Sequence, residues 1–246
     1  MISKTIHYCW FGRGDKPEKI KRCMASWSTI CPDYKIVEWN EDNFDVNICP
    51  YVKQAYEAKK YAFVSDYARF YVLNKFGGVY LDTDVELLKD ITPLISENFT
   101  GFESDKSVAT GLIMASDTND ELCRAMLNEY DGDSFIKEDG SLNLRTVCER
   151  VTDWLVVRGL KLNGETQCVA DYKIYAAEYF NPMDMQTGKI SITENTYSIH
   201  HYAASWCSKK ERFRGEIYKF IAKMCGVNFA EKIRKIFGRK RNEKDI

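Results

Sequence analysis

Two aspartates, Asp82 and Asp84, are the side chains in this sequence with the clearest capacity for chemistry. They follow a short apolar run over 79–81, which is typical of a buried strand and which begins after two glycines that suit a helix end. Strand alternation places Tyr80 and Asp82 on one face, and we expect Asp84 in a partly exposed loop beyond the strand. Carboxylate oxygens in this position suit a hard divalent cation whose coordination is completed by phosphate oxygens.

An Asp-x-Asp pair alone does not define a metal site, because the same pattern also serves as a polar exit from a strand into a loop. A second pair, Asp131 and Asp133, is interpreted as an ordinary solvated turn. A calcium-binding loop that starts at Asp82 would need Gly at its sixth position and Glu at its twelfth, where this chain has Leu87 and Pro93. The elements on either side of Asp82 must therefore decide between the interpretations.

Those elements predict an α/β sheet. Strand formers and helical periodicity alternate, with strands over 4–10 and 34–39 and helices over 17–30 and 50–76, the last broken near residue 60. A strand–helix–strand unit opens an α/β sheet, and ligands bind such sheets beyond the carboxyl ends of the strands. Trp10 lies at such an end, where it either stacks on a nucleobase or packs at the rim.

The second helix within 50–76 is apolar nearly all round, so we expect it to be buried. Its polar exceptions are Ser65, Asp66 and Arg69. Asp66 and Arg69 are three residues apart and share a face, and buried charges need partners. They form either an internal salt bridge or a polar wall, with Asp66 toward sugar hydroxyls and Arg69 toward a carboxylate or phosphate.

A late segment over 190–202 has strand character and ends near His200 and His201. Adjacent residues of a strand face opposite ways, so at most one of the two points into a site. A neutral imidazole suits Mn²⁺ or Zn²⁺ better than Mg²⁺ or Ca²⁺. The alternative is a pair of ordinary histidines at a strand end.

Two further elements are predicted between these motifs. A buried strand is expected over 108–114, where Gly111 indicates a close approach of another group to the backbone. A helix is expected over 144–157, with Ser141 as its candidate N-cap. The loop before that helix is a weak candidate for a phosphate contact, because helix starts attract anions.

Composition indicates one large domain, 1–208, and a basic amphipathic tail, 209–246. The chain has 246 residues, 45% of them apolar, and a net charge of −1, so bulk charge gives no sign of a nucleic-acid partner. Its 9 cysteines are odd in number and form no C-x-x-C pair, which favours a reducing cytosol. We expect no signal peptide and no membrane span, and the tail is either a membrane-surface element or a solvated helix.

Four motifs, in order over about residues 2–206, resemble the DXD sugar-binding glycosyltransferases of family 32. They are IHYCWFG at 6–12, YAFVSDYAR at 61–69, GGVYLDTD at 77–84 and HHYAASW at 200–206. The family includes bacterial capsular and cell-wall polysaccharide transferases and yeast mannosyltransferases, and the sugar-transferring domains of large clostridial toxins are similar. Agreement of four separated motifs makes the resemblance specific.

The resemblance implies a GT-A fold, a Rossmann-like mixed sheet flanked by helices, here followed by the basic helical tail. It implies a nucleotide-sugar donor and Mn²⁺ or Mg²⁺ as cofactor. Carried over to this chain, Asp82, Asp84 and Arg69 are the catalytic residues; the donor contacts are Trp10, Ser65, Asp66, Arg69, Tyr80, Asp82 and Trp206; and the metal ligands are Asp82, Asp84 and His201. Ala204 departs from the toxin-type pattern, which has Ser there, and this removes one candidate ligand.

The expected function is therefore metal-dependent, retaining transfer of a hexose from a UDP- or GDP-sugar to a saccharide acceptor. The resemblance and the basic tail favour bacterial capsular or surface polysaccharide synthesis, with a lipid-linked acceptor met at the inner face of the plasma membrane. Two alternatives stay open: a nucleotide-sugar hydrolase or nucleotidyltransferase that uses the same metal site, and a non-catalytic binding module. No covalent nucleophile is indicated by the residues.

Overall fold

The computed structural model describes residues 2–184 and 187–203, together with 215, 217, 218, 220–224, 226 and 229. Its contacts define two units, Met1–Pro182 with Ile192–Tyr202, and Met183–Ser191 with Ala203–Ile246. In the second unit, Met183 and Ile190 form an antiparallel bridge, and the described residues between 215 and 224 are helical. The domain boundary at residue 208 stays a prediction, and most of the basic tail lies outside the described residues.

The first unit contains the strands and helices that position the site. The strands are β1 Thr5–Cys9, β2 Lys35–Trp39, β3 Gly78–Tyr80, β4 Val85–Leu87, β5 Asn98–Ser104, β6 Ser107–Val108, β7 Met114–Ser116, β8 Gln167–Val169, β9 Tyr172–Tyr175 and β10 Ser198–His200. The helices are α1 Glu18–Ile30, α2 Pro50–Glu57, α3 Tyr61–Phe76, α4 Glu121–Asp131, α5 Val147–Val157 and α6 Ala177–Phe180, with a short 3₁₀ turn at Thr92–Leu94. In the described part of the chain, no helix has both the length and the apolar character needed to cross a membrane.

The strands form a mixed sheet of eight, in the order β2-β1-β3-β7-β5-β9-β8, with β6 paired to β5. β1 is parallel to β2 and β3, whereas β7 is antiparallel to β3. The carboxyl ends of β1, β2 and β3 therefore meet the start of β7 at one edge of the sheet. A separate antiparallel pair joins β4 to β10. This arrangement confirms the predicted mixed α/β sheet flanked by helices.

The buried helix α3 leads directly into the central strand β3 through two glycines. Gly77 has φ of 61° and its amide donates to the carbonyl of Leu73 at 2.8 Å, which ends the helix. Gly78 has φ of 109°, and a Cβ there would lie 2.7 Å from the carbonyl oxygen of Thr5. A side chain at residue 78 would therefore push β3 away from β1, so this junction requires glycine.

The predicted strand over 108–114 is wrong. Only Ser107–Val108 and Met114–Ser116 are strands, and a turn separates them because the carbonyl of Gly111 bonds the amide of Asp82 at 3.0 Å instead of a strand neighbour. The late strand is likewise limited to Ser198–His200.

Ser141 is not the N-cap of α5. Thr146 caps this helix in a reciprocal capping box with Glu149, and α5 accordingly begins at Val147. Ser141 instead bonds Asp139 in the preceding turn, with its hydroxyl 2.6 Å from Oδ1. Its side chain is therefore part of a surface turn.

Candidate functional site

The exit from β3 is fixed by backbone bonds on both sides. Leu81 donates to the carbonyl of His7 in β1 at 3.1 Å, and Asp82 donates to that of Gly111 at 3.0 Å. The amide of Val85 then donates to the carbonyl of Asp82 at 3.1 Å, which closes a tight turn that contains Asp84. The two aspartates thus lie at the sheet edge where the parallel strands end, as the sequence predicts.

Arg69 joins α3 to this edge. Its Nη2 lies 2.8 Å from Oδ1 of Asp66 and 3.3 Å from Oδ1 of Asp82, and its Nη1 donates to the hydroxyl of Thr110 at 3.3 Å. The guanidinium lies 4.8 Å from the ring centroid of Tyr80, whose hydroxyl donates to Oδ1 of Asp82 at 3.1 Å. We call these five residues the Arg69 cluster. The internal salt bridge that the sequence left open is therefore present, and the polar wall toward a ligand stays a prediction.

The side chains of the Arg69 cluster differ in burial, and both burial and neighbouring charges shift the pKa values of Asp66 and Arg69. The side chain of Arg69 is 4% exposed and that of Asp66 12%, whereas that of Asp82 is 31% exposed. Burial raises the pKa of Asp66 to about 6, against the lowering effect of Arg69. Although burial opposes it, the pKa of Arg69 is raised by Asp82, Tyr80 and Asp66, so the guanidinium stays charged. Asp82 is the most exposed of these three side chains.

Gly111 makes room for Asp82. A Cβ at residue 111 would lie 2.0 Å from Oδ2 of Asp82 and 3.1 Å from Nη1 of Arg69. The first distance is far below any van der Waals contact, so another residue here would displace the carboxylate. The close approach expected from the sequence is confirmed, and its partner is the first aspartate of the pair.

Asp84 is buried, at 9% exposure, rather than partly exposed as expected. Its Oδ1 lies 3.0 Å from Nε2 of His200, because the pairing of β10 with β4 brings His200 opposite Val85. Burial lowers the pKa of His200, and the carboxylate of Asp84 raises it. The net shift of this pKa is upward. Nδ1 of His200 is buried and has no hydrogen-bond partner among the described residues.

His201 points away from Asp84, as the alternation of a strand requires. Its Nε2 lies 2.6 Å from Oε2 of Glu86, and only its backbone amide reaches Asp84, donating to the carbonyl at 3.0 Å. The structure thus places His200, and not the expected His201, at the Asp84 carboxylate. The expectation was counted back from Trp206, which lies outside the described residues.

Ser65 and Trp10, two other residues predicted to contact the donor, donate hydrogen bonds to backbone carbonyls. Ser65 donates its hydroxyl to the carbonyl of Tyr61 at 3.1 Å within α3. Trp10 follows β1 at the same sheet edge, with its Nε1 donating to the carbonyl of Gly14 at 2.6 Å. The ammonium of Lys16 lies 5.4 Å from the Trp10 ring centroid. Trp10 is therefore a half-buried, anchored aromatic ring at the sheet edge where β1 ends.

His7 shows that a residue of a functional motif can be structural. It is 2% exposed; its Nδ1 accepts from Nε1 of Trp39 at 3.1 Å, and its Nε2 lies 3.0 Å from the carbonyl of Gly77. Burial lowers the pKa of His7 to about 4, so the ring is neutral near pH 7. The sequence analysis did not identify Thr110 as a partner of Arg69, because the two residues are 41 positions apart in the chain.

The donor set fits a divalent metal in its chemistry. Asp82, Asp84 and His200 offer carboxylate oxygens and an imidazole, which together suit Mn²⁺. Among the described residues, no three His, Cys, Asp or Glu side chains converge closely enough to hold a metal alone. The protein side chains alone therefore do not complete a metal site, and a ligand such as a diphosphate could supply the further oxygen atoms.

Comparison with known proteins shows first the fold and then a likeness to one family over part of the chain. The chain aligns with the crystal structure of a glycosyltransferase involved in the glycosylation of the major capsid of PBCV-1, with a TM-score of 0.51 and 12% identity over 86% of this chain and 98% of that one. The mixed sheet is thus the GT-A glycosyltransferase fold. Residues 17–100 match the family model described as "Glycosyltransferase sugar-binding region containing DXD motif". The matched segment contains Asp82 and Asp84, so this part of the chain is similar to the family at the motif on which the sequence resemblance rests.

Two curated yeast proteins are similar over part of their lengths. Inositol phosphoceramide mannosyltransferase 3 of Schizosaccharomyces pombe is 32% identical over 98 residues, 38% of this chain and 27% of that protein. Mannosyl phosphorylinositol ceramide synthase SUR1 of Saccharomyces cerevisiae is 24% identical over 196 residues, 74% of this chain and 50% of that protein. The chain therefore spans half or less of the curated relatives that it matches.

Proposed function

We propose that this chain is a metal-dependent, retaining glycosyltransferase that moves a hexose from a UDP- or GDP-sugar to a saccharide acceptor. The observation that carries the proposal is the pair Asp82 and Asp84 at the sheet edge where three parallel strands end, with Arg69 bonded to the first and His200 to the second. The names of the curated relatives support mannose as the first hexose to test.

The residues of the Arg69 cluster have distinct tasks in this proposal. Arg69 and the hydroxyl of Tyr80 both bond Oδ1 of Asp82, which fixes the carboxylate before the donor arrives. Asp66 is held against Arg69 and offers acceptors to sugar hydroxyls. When bound, Mn²⁺ or Mg²⁺ supplies the positive charge that stabilises the diphosphate leaving group.

Trp10 and Trp206 complete the proposed donor site. Trp10 is anchored at the sheet edge where β1 ends and can stack a nucleobase on the ring face that Lys16 leaves open. Trp206 is proposed on the family motif alone. The acceptor is proposed to be a growing bacterial capsular or surface polysaccharide on a lipid carrier, which the basic tail 209–246 would approach at an acidic inner membrane surface.

The decisive experiment measures melting temperature with a panel of UDP- and GDP-sugars, each with and without Mn²⁺. A ligand that binds only the native state raises the melting temperature, so one nucleotide-sugar should give a rise that requires Mn²⁺. Analysis of products with and without a saccharide acceptor then separates transfer from hydrolysis. No rise with any donor would favour a binding module with another ligand, and release of free sugar alone would favour a hydrolase.

Asp84→Asn tests the metal site within this assay. Asparagine keeps the shape of the buried side chain but removes its charge, so the rise that requires Mn²⁺ should vanish and turnover should fall about 100- to 1000-fold. The control is Asp171→Asn, which makes the same change at an exposed position in the β8–β9 turn. Full activity of Asp84→Asn would exclude the proposed metal site.

A further inference from the structure

Tyr202 follows β10 in an uncommon backbone conformation. Its φ is 44°, in the left-handed region that bulky residues seldom adopt. Such a conformation persists where the surrounding structure holds it, and it often marks a functional site. Tyr202 belongs to the HHYAASW motif, but the donor and metal assignments give it no task.

A carboxylate from the main sheet holds the Tyr202 side chain. The hydroxyl donates to Oε1 of Glu103 at 3.1 Å, and Glu103 lies near the end of β5. The backbone of Glu103 is itself fixed, since its carbonyl accepts from Nδ2 of Asn181 at 2.9 Å. Burial and the nearby Glu103 carboxylate raise the pKa of Tyr202, so its hydroxyl keeps the proton that it donates.

The ring of Tyr202 contacts His200. The ring centroids are 4.2 Å apart at an interplanar angle of 67°, an edge-to-face contact. His200 in turn lies 3.0 Å from Oδ1 of Asp84. Glu103, Tyr202, His200 and Asp84 therefore form one continuous line of contacts from the main sheet to the second aspartate of the motif.

We propose that Glu103 and Tyr202 form a latch that positions the imidazole of His200 against Asp84. The latch acts through His200, so both members are positioning residues and touch no donor. Its consequence for metal affinity rests on the proposed function, whereas its effect on the His200 ring does not. The two can therefore be tested separately.

The first test reads the position of the His200 ring without any ligand. The chain has 3 histidines, so ¹³C-histidine labelling gives three Cε1–H signals. Tyr202→Leu removes the ring current at His200 and so identifies its signal. Tyr202→Phe keeps the ring but loses the bond to Glu103, and the His200 signal should move part of the way toward its position in Tyr202→Leu.

Tyr197→Phe is the matched control. It removes a hydroxyl from a half-buried tyrosine just before β10 whose oxygen makes no hydrogen bond among the described residues. The His200 signal should stay in place in this variant. An unchanged His200 signal in Tyr202→Phe would overturn the latch, whatever the protein binds.

The second test measures Mn²⁺ binding by the electron paramagnetic resonance of free Mn²⁺, in the presence of UDP or of GDP. Tyr202→Phe and Glu103→Ala should each weaken Mn²⁺ binding about three- to tenfold, the net scale of one typical hydrogen bond. Glu103→Gln retains an acceptor oxygen and should restore most of the affinity. The double variant should be no weaker than either single one, because both changes break the same bond.

The outcomes separate the latch from the proposed function. Wild-type protein that binds no Mn²⁺ with either nucleotide would contradict the metal site, and the histidine signals would still decide the latch. Normal Mn²⁺ binding by Tyr202→Phe, with a shifted His200 signal, would show that the latch positions the ring without supporting a metal ligand. That result would overturn the inferred effect of the latch on Mn²⁺ affinity.

Discussion

Among the described residues, two buried arginines each contact two carboxylates and an aromatic ring, but only one belongs to the candidate site. Arg150 lies 2.5 Å from Glu129 and 2.5 Å from Asp133, with its guanidinium 4.5 Å from the Tyr130 ring centroid. Its side chain is 1% exposed. With Tyr51, whose ring centroid is 5.6 Å away, these residues form what we call the Arg150 cluster.

The Arg69 cluster differs in the lengths of its bonds. Arg69 makes one short contact, 2.8 Å to Asp66, and its contacts to Asp82 and Thr110 are both 3.3 Å. Asp82 also borders a glycine at the open edge of the sheet, whereas the carboxylates of the Arg150 cluster come from α4 and the loop after it. The longer bonds of Arg69 and its position beside a strand end therefore distinguish the candidate site from the buried ion pairs of Arg150.

The two Asp-x-Asp pairs differ in the same way as the two arginine clusters. The interpretation of Asp131 and Asp133 as a solvated turn is wrong for its second member, since Asp133 bonds the buried Arg150 and also accepts from Nδ2 of Asn143 at 2.8 Å. Asp131 accepts from the hydroxyl of Tyr67 at 3.1 Å. Both aspartates of this pair anchor neighbouring elements, and neither lies at the end of a parallel strand.

The largest effect expected from this comparison is on stability. Arg150→Met should lower the free energy of unfolding by about 3 kcal/mol, because it leaves two carboxylates without their shared partner and removes the contact with Tyr130. Denaturation by urea measures this loss. The folded variant should keep the Mn²⁺-dependent donor response of the wild type.

Arg69→Met provides the contrasting variant. It should abolish the donor response even in protein that remains folded, since it removes the group that fixes Asp82. The comparison fails if Arg150→Met loses donor binding while folded, or if Arg69→Met retains it. The first result would mean that the Arg150 cluster also serves donor binding, and the second that donor binding does not need Arg69.

The second prediction concerns Gly111 and sharpens the account of the Arg69 cluster. Gly111→Ala should cost about 2 kcal/mol of unfolding free energy, because its Cβ would overlap Oδ2 of Asp82. In an Asp82→Ala background most of that cost should disappear, because the nearest remaining atom outside residue 82 is the flexible tip of Arg69 at 3.1 Å. The double-mutant cycle measures this coupling directly.

Gly132→Ala is the matched control for Gly111. Gly132 ends α4 with φ of −85°, and a Cβ there meets nothing closer than 3.6 Å. Its replacement should change stability little in either background. An equal cost of Gly111→Ala with and without Asp82 would show that Gly111 serves the backbone turn alone.

The sequence predicted those parts of the site that depend on local patterns. Helix periodicity identified Asp66 and Arg69 on one face of α3, and the glycine–strand–aspartate order placed Asp82 at a strand end. These predictions held because each depends on residues within one or two elements. The family match at 17–100 covers the same segment.

The parts that were missed depend on pairing between distant segments. Alternation predicted that only one of His200 and His201 points inward, but the register of β10 against β4 decides which, and no local pattern contains that register. Thr110 reaches the site because the turn before β7 bonds the backbone just after β3, and Glu103 reaches Tyr202 from β5, which β7 separates from β3. Asp133 looked solvated because its partner, Arg150, lies in a different helix.

The smallest predicted effect is a difference in pH dependence between the two clusters. Although burial opposes it, hydrogen bonds from Arg150 hold the pKa of Asp133 below its usual value. The stability that Asp133 contributes is therefore present above pH about 4, its unfolded value, and is lost as the pH falls through its folded pKa. Asp133→Asn should be about 1 kcal/mol less stable than wild type at pH 7, and this difference should shrink below pH about 4.

Asp66 should show the opposite sign. Burial raises its pKa to about 6, so the folded protein holds this proton more tightly than the unfolded chain does. Its contribution is present below pH about 4 and is lost as the pH rises through about 6, and Asp66→Asn, which cannot ionise, lacks this loss. Between pH 4 and pH 7, urea denaturation should therefore show wild type losing stability relative to Asp66→Asn, whereas between about pH 3 and pH 5 it should show wild type gaining stability relative to Asp133→Asn. The same sign for both variants would mean that Asp66 is as firmly ion-paired as Asp133, and the Arg69 cluster would then be a closed structural element like the Arg150 cluster.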